Sequence, residues 1–282
     1  MSVQRTLLLV FSFFAFSLNT NPLFAQTHRL ATFNIRWDNP NDVGNLWKDR
    51  ATHVIQLIQF HQIGIVGTQE VLVHQLTELN KELGFASIGV GRDDGATKGE
   101  FSPIHYDPQR YKVEDSGTFW LSPTPDQPSK GWDAALNRVC SWGKFISSEG
   151  EQFYVFNVHY DHIGQQAREE SSKLVLKKIQ ELNQENLPVI WMGDFNVTPD
   201  NPAYQVILAQ ESWKDARLSS KLPSYGPKGT FSGFDWDRMP DGIIDHIFVQ
   251  GEIEILRHGI LTDNYGKKYP SDHFPVLVEL KF

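Results

Sequence analysis

The amino-acid sequence predicts an α/β domain in which two packed β-sheets carry helices on their outer faces. Strand-like apolar runs alternate with helical periodicities through the first part of the chain, a pattern typical of α/β architectures. The middle of the chain carries short strand-like runs separated by Gly, Pro and Asp, which is typical of antiparallel hairpins. No polar linker or composition break divides the chain beyond its first residues, so we expect one domain over residues 26–282.

The first residues have the pattern of a secretory signal peptide over 1–25. Arg5 precedes an apolar stretch from Leu7 to Leu18, and cleavage is expected after Ala25. The apolar stretch is short for a membrane span, so no stable membrane insertion is expected once the signal is removed. We therefore expect an exported protein, periplasmic or extracellular. Cys140 is the only cysteine, which excludes an intrachain disulfide.

The charge of the chain bears on its partners. The formal net charge is −8, and the sequence contains no basic cluster. A protein that grips long nucleic acid through its phosphates normally presents a basic face. The composition therefore favours a small phosphorylated substrate, with nucleic acid as the alternative partner.

The elements follow from periodicity and from turn residues. The first part predicts strands over 28–35 and 63–68, with helices over 45–61 and 73–83, the second ending at Gly84. Antiparallel strands are predicted over 86–90, 102–106, 117–121 and 139–147. The last part predicts strands over 152–159, 188–194, 243–249, 252–258 and 274–280, with helices over 165–183 and 203–209.

Polar residues recur where these strands end. A carboxylate and an amide two residues apart, as in Asp194 and Asn196, point to the same side of an extended chain. Open α/β sheets bind ligands at the carboxyl ends of their strands. Each position alone has an ordinary structural explanation, such as a turn or a helix cap. Their repetition predicts one site formed by Asn34, Glu70, Asn157, His159, Asp194, Asn196, Asp245, Asp272 and His273.

These positions carry a family resemblance. The segments that carry it are FNIR (33–36), GTQE (67–70), NVH (157–159), GDFN (193–196), IDH (244–246) and SDHFP (271–275). Together they resemble the endonuclease/exonuclease/phosphatase superfamily of DNase I-like enzymes, in family order across the whole mature chain. The loop over 91–104 is similar to a bacterial, often exported branch. The resemblance implies a four-layered α/β sandwich with two central mixed β-sheets flanked by helices.

The resemblance also implies roles in metal-dependent phosphoester hydrolysis. Glu70 is implied as the central ligand of Mg²⁺, or of Mn²⁺, with Asn34 and Asp272 as direct or water-mediated ligands. Asn196 would hold the attacking water or the phosphate. His159 would donate to a phosphate oxygen. The general base is either Asp194 or the pair formed by Asp245 and His273; the sequence leaves both open, and we expect Asp194.

Adjacent residues of an extended segment face opposite ways. The sequence therefore predicts that Asp245 lies within hydrogen-bond reach of His273, while Asp272 turns toward Glu70. Asn157, Arg92 and Arg138 are the candidate substrate contacts, although each arginine has the alternative role of an ordinary ion pair. The aromatic residues Trp132, Trp142, Phe231 and Trp236 are either ring-stacking residues or core residues.

Two positions depart from the family pattern. Arg36 stands where abasic-site endonucleases of the superfamily carry an acid, which removes one metal ligand and argues against that activity. His246 stands where a tyrosine is common, and we expect it to pack in the core, with a proton carrier as the alternative.

Three function classes remain open. The first is a phosphatase or phosphodiesterase acting on a small phosphoester. The second is an exported nuclease or a sphingomyelinase-like phospholipid phosphodiesterase. The third is a catalytically idle binding protein on the same fold. The negative net charge and the lack of an evident apolar hairpin favour the first class. The complete set of site residues argues against the third class.

Overall fold

The computed structural model describes residues 27–282, so the signal peptide predicted over 1–25 lies outside the described residues. The elements are β1 (His28–Asn34), α1 (Trp47–Phe60), β2 (Ile65–Gln69), α2 (Val73–Leu83), β3 (Ala86–Ile88), β4 (Ile104–Tyr106), β5 (Tyr111–Trp120), β6 (Val139–Ser147), β7 (Gln152–His159), α3 (Gln165–Leu182), β8 (Val189–Asp194), α4 (Pro202–Leu208), β9 (Trp213–Asp215), α5 (Ala216–Ser219), β10 (Asp245–Gln250), β11 (Glu254–Ile260) and β12 (Val276–Lys281). None of these helices has the length and apolar character needed to cross a bilayer.

The strands form two six-stranded sheets. The first has the order β11-β12-β1-β2-β4-β3 and the second the order β5-β6-β7-β8-β10-β9. Each sheet contains one parallel pair, β1 with β2 and β7 with β8, and its other pairs are antiparallel. Helices α1 and α3 make the crossovers that the two parallel pairs require. The predicted four-layered sandwich with two mixed sheets is confirmed.

Side-chain alternation along the strands divides the core into layers. On β1, Leu30 packs between the sheets, whereas Ala31 and Phe33 pack against α1 and α2. On β8, Ile190 and Met192 face the other sheet, whereas Trp191 packs under α3 and α4. Because alternation has a period of two residues, the inner row of each strand continues into the polar residue at its end. The strand ends therefore point into the space between the sheets.

Asn157 holds the two sheets together, and its predicted contact with substrate stays a prediction. Its side chain is fully buried and donates to the carbonyl oxygens of Thr68 at 2.9 Å and Pro103 at 2.8 Å. Its oxygen accepts from Gln69 Nε2 at 2.7 Å. Gly67 permits this approach, since a Cβ there would lie 2.7 Å from Asn157 Oδ1. The hydrogen bonds of this amide are therefore made within the sandwich.

Some boundaries differ from the prediction. Strand β5 begins at Tyr111, six residues before the predicted start at 117. After the buried Tyr111, residues 112–116 are exposed and polar except for Val113, and the register is irregular between Val113 and Asp115, which hides the strand pattern. The short elements β9 and α5 were not predicted. They contain three and four residues, and β9 depends on pairing with β10, which local sequence does not reveal.

A buried histidine makes the stability of the fold depend on pH. His105 on β4 is fully buried between Asn80 Oδ1 at 2.7 Å and Thr68 Oγ1 at 3.0 Å. Burial lowers its pKa from 6.5 to about 3. Since the folded-state pKa is depressed, the contribution of neutral His105 is complete above the unfolded pKa of 6.5 and is lost as pH falls toward about 3.

We expect His105→Gln to flatten this dependence, because glutamine does not titrate. Urea titrations across this window should show the wild-type free energy of unfolding falling more steeply with acid, by up to about 1.4 kcal/mol per pH unit. His74→Gln is the control, since that side chain is 52% exposed. Equal slopes for wild type and His105→Gln would contradict the assignment.

Candidate active site

The polar strand ends meet in one cavity of about 540 Å³ at the edge of the sandwich. The cavity is lined by residues from both sheets and from the loops between their strands. Among the predicted site residues that line it are Glu70, Arg138, His159, Asp194, Asn196, Asp272 and His273. Asn34 and Asp245 lie just behind this surface and hydrogen-bond to residues that form it.

Asn34 joins the two sheets at the bottom of the cavity. Its Nδ2 donates to Glu70 Oε1 at 3.1 Å and to Asp194 Oδ2 at 3.0 Å. Its oxygen accepts the backbone N–H of Arg36 at 3.1 Å. In this arrangement the amide orients two carboxylates, which favours a positioning or water-mediated role over direct ligation of a metal.

Three residues at the cavity have left-handed backbone conformations that are uncommon outside glycine. The φ angles are 59° at Arg36, 61° at Glu70 and 51° at Asn196. Such conformations cost free energy and persist where the surroundings fix them. Each of the three directly follows the end of a strand or lies two residues beyond it. The turns aim these side chains into the cavity.

The predicted pair of Asp245 and His273 is present. His273 Nδ1 lies 2.9 Å from Asp245 Oδ2, and its Nε2 lies 3.8 Å from Asp194 Oδ2. Burial lowers the pKa of His273, but the charges of Asp245 and Asp194 outweigh it and raise the pKa well above the usual value. Asp272, the neighbouring residue, lies on the side of Arg36 and Glu70, as predicted.

Asp194 has the properties of a general base. Burial, together with the charge of Asp245, raises the pKa of Asp194 to about 7, against the opposing effects of His273 and Asn34. A base is most effective when its pKa lies near the working pH. Its Oδ1 accepts the backbone N–H of Asn196 at 2.9 Å, which fixes the carboxylate.

His159 is a neutral donor beside this carboxylate. Its Nε2 lies 3.6 Å from Asp194 Oδ2, and its Nδ1 lies 4.0 Å from Glu100 Oε2. Burial and the charges of Arg138 and Arg92 lower the pKa of His159 well below the usual value. A neutral imidazole with one N–H suits a hydrogen bond to an uncharged or anionic oxygen.

The two candidate arginines have different positions in the structure, since only Arg138 lines the cavity. Arg138 lines the cavity, is 5% exposed, and contacts Asp161 Oδ2 at 3.3 Å and His162 Nδ1 at 3.0 Å. Within residues 27–282 its Nη1 is buried without a hydrogen-bond partner, which is uncommon for a buried donor. Arg92 instead makes a two-pronged ion pair with Glu100 at 2.8 and 2.9 Å, the alternative role, and does not line the cavity.

The family model of the endonuclease/exonuclease/phosphatase family matches residues 31–273. The chain belongs to this family. It is similar to a family protein from Bacteroides thetaiotaomicron, with 42% identity over 92% of this chain and 98% of the other, and a TM-score of 0.88. The mannosyl-6-phosphatase of the same species shows 43% identity over 90% of this chain and 100% of the other, also at 0.88.

A more distant curated relative is the uncharacterized protein L388 of Acanthamoeba polyphaga mimivirus. It is 24% identical over 278 residues, which is 93% of this chain and 98% of that protein. The family and its solved members indicate a phosphoester hydrolase.

The donor set of this family site fits a divalent cation. Burial raises the pKa of Asp272, and the charge of Glu70 adds to that effect while His273 opposes it. Asp272 is buried and the Glu70 side chain is 14% exposed, and a buried carboxylate is costly unless a positive charge compensates it. Carboxylate oxygens are the ligands that Mg²⁺ and Mn²⁺ prefer. Ligand atoms of Asp194, Asp245 and His273 also lie within 4.8 Å of one another, a second group able to hold a metal.

Arg50 is a positioning residue that the sequence interpretation missed. It is fully buried and donates to the carbonyl oxygens of Ile35 and Pro270 at 2.7 Å each and of Arg36 at 3.1 Å. It thereby ties the end of β1 to the loop that carries Asp272. The available signal was a charged residue on the apolar face of α1, three positions after Trp47.

The structure also places His246 and three of the four aromatic candidates. Trp142 packs in the core against Phe156, and Trp236 stacks on Tyr269, whereas Phe231 remains 49% exposed at the cavity. His246 packs among core aromatics with its Nε2 2.9 Å from the carbonyl oxygen of Val197, so the predicted core role is confirmed.

The Asp245 and His273 pair should behave as one unit in catalysis. We expect His273→Ala and Asp245→Asn each to lower phosphate release by about a hundredfold, since each removes the same charged imidazole arrangement. The double variant should be little worse than either single variant. His246→Ala, measured in the same assay, should retain much more activity. Additive losses across the cycle would show that the two residues act separately.

Proposed function

We propose that this protein is a Mg²⁺-dependent phosphatase that hydrolyses the phosphate monoester of a small sugar by in-line attack of water. One observation carries the proposal. Oxygen ligands for a cation, a base with a pKa near neutrality, and a buried arginine donor open into the same cavity. The likeness to a mannosyl-6-phosphatase over 90% of this chain supports a sugar phosphate as substrate.

Glu70 and Asp272 would hold the cation, which supplies Lewis-acid neutralisation of the phosphate and of the leaving oxygen. Asp194 accepts the proton of the attacking water. Asn196, whose Nδ2 is held by the carbonyl oxygen of Tyr160 at 3.0 Å, presents its side-chain oxygen to that water. Its fixed orientation keeps the water in line with the phosphorus.

The remaining groups stabilise charge on the phosphate. His159 donates its N–H to a non-bridging oxygen, and Arg138 donates Nη1 to another. His273, charged because Asp245 holds it, faces the same group through Nε2. Preorganised donors of this kind contribute most when they are shielded from water and fixed, and these three side chains are at most 8% exposed.

The surroundings of the phosphate position favour a compact ring over a nucleic acid. Phe231 is 49% exposed and Leu136 is 41% exposed, and both line the cavity. Exposed apolar side chains beside a polar site mark a surface that a ligand covers. The apolar face of a sugar ring fits this role, and the net charge of −8 disfavours a long polyanion. We also propose that the protein is exported, because the sequence of residues 1–25 has the pattern of a signal peptide.

A substrate panel tests the proposal. With Mg²⁺ or Mn²⁺, we expect phosphate release from mannose 6-phosphate to exceed turnover of bis-p-nitrophenyl phosphate, DNA, RNA and sphingomyelin. Preferred cleavage of DNA or RNA would establish the nuclease alternative, and preferred cleavage of sphingomyelin the phospholipid alternative. No turnover of any substrate would favour the idle binding protein.

The cation requirement can be tested at Glu70. We expect chelation to abolish activity, and Glu70→Gln to lower it by roughly a thousandfold or more, about 4 kcal/mol, because the amide lacks the charge the cation needs. Circular dichroism should show an unchanged fold. Near-full turnover by this variant at saturating Mg²⁺ would contradict the ligand assignment.

A further inference from the structure

The carboxylates of Glu70 and Asp272 form what we call the acidic centre. The guanidinium of Arg36 lies close to both of them. Its Nη1 is 3.6 Å from Glu70 Oε2, and its Nε is 3.7 Å from Asp272 Oδ2. Its hydrogen bonds go instead to Asp42, from Nε at 2.8 Å and from Nη2 at 3.3 Å. Arg36 therefore places a positive charge close to both carboxylates without being hydrogen-bonded to either.

The backbone holds Arg36 in this place. Its N–H is bonded to Asn34 Oδ1, and its carbonyl oxygen accepts from Arg50 Nη2 at 3.1 Å and Gln75 Nε2 at 3.0 Å. Its φ of 59° is the uncommon left-handed conformation. The side chain is only 25% exposed and lines the cavity. These contacts distinguish Arg36 from a mobile surface arginine.

We propose that Arg36 is a fixed counter-charge of the acidic centre: it stabilises Glu70 and Asp272 before a divalent cation binds, and it lowers their affinity for that cation. The proposal rests on the proposed function, because the cation site is that of the hydrolase. It assigns a role to the position where the sequence departs from the abasic-site endonucleases.

The physical basis is the competition between two kinds of positive charge. The buried carboxylate of Asp272 and the partly exposed carboxylate of Glu70 repel each other, and a neighbouring guanidinium offsets that repulsion without a metal. The same guanidinium repels a divalent cation held by those carboxylates, at a distance where Coulomb interactions remain substantial. Asp42 restrains the guanidinium and cancels part of its charge. Removing Arg36 and removing Asp42 therefore have opposite effects on cation affinity.

Calorimetric titration of the mature protein with Mn²⁺ tests this directly. We expect Arg36→Gln to bind Mn²⁺ roughly tenfold more tightly than wild type, since a repelling charge is gone. Arg36→Lys, which keeps the charge, should stay close to wild type. Arg29→Gln is the matched control, because Arg29 is similarly exposed at 29% and pairs with the remote Glu279 at 2.8 Å. Its Mn²⁺ affinity should not change.

A substitution at Asp42 provides a second test. Asp42→Asn should weaken Mn²⁺ binding when Arg36 is present and should have little effect in the Arg36→Gln background. An equal loss in both backgrounds would mean that Asp42 acts on the cation directly, and would overturn its role through Arg36.

Thermal melting gives a readout that does not depend on the cation being bound. Without metal, Arg36→Gln should melt below wild type, and saturating Mn²⁺ should remove most of that difference. Unchanged or weaker Mn²⁺ binding by Arg36→Gln, in a wild type that binds Mn²⁺, would overturn the counter-charge and leave the proposed function standing. A wild type that binds neither Mn²⁺ nor Mg²⁺ would instead overturn the proposed function.

Discussion

The candidate active site depends on the amide of Asn34, where the two sheets meet. One nitrogen donates both to Glu70, which follows a strand of the first sheet, and to Asp194, which ends a strand of the second. The loop before β12 is tied to the same point, because Ser271 Oγ donates to the carbonyl oxygen of Asn34 at 2.7 Å. The relative position of the Glu70 and Asp194 carboxylates is therefore set by packing between the sheets.

Charge balance is the second constraint on this site. Four carboxylates, those of Glu70, Asp194, Asp245 and Asp272, lie at one end of the sandwich, and three of them are almost fully buried. Each has a positive neighbour within the protein: His273 for Asp245 and Asp194, and Arg36 for Glu70 and Asp272. This distribution gives carboxylates of the same chemical type different tasks, because their surroundings differ.

The sandwich and the loops contribute differently to function. The strand ends supply the groups that would act on the phosphate in the proposed reaction, and they are held by hydrogen bonds from buried residues such as Arg50 and Asn157. The loops supply the cavity wall, including Arg138 and the exposed side chains of Leu136 and Phe231. A family that shares its phosphate chemistry can therefore change substrate by changing its loops.

The sequence by itself determined the layers of the fold and the strand ends that form the site, because alternation with a period of two is a local property that links Leu30 to Asn34 and Ile190 to Asp194. The same rule separated Asp272 from His273, and the family resemblance implied the pairing of Asp245 with His273. Tertiary structure alone decided which of the predicted polar residues bond to other protein groups instead of lining the cavity. Asn157 has the same alternation as His159 but ends against Thr68 and Pro103, and Arg92 is taken by Glu100. The partners of Asn157 are 54 and 89 residues away in the sequence, and the Arg92 partner lies across a loop, so only the folded chain shows these contacts.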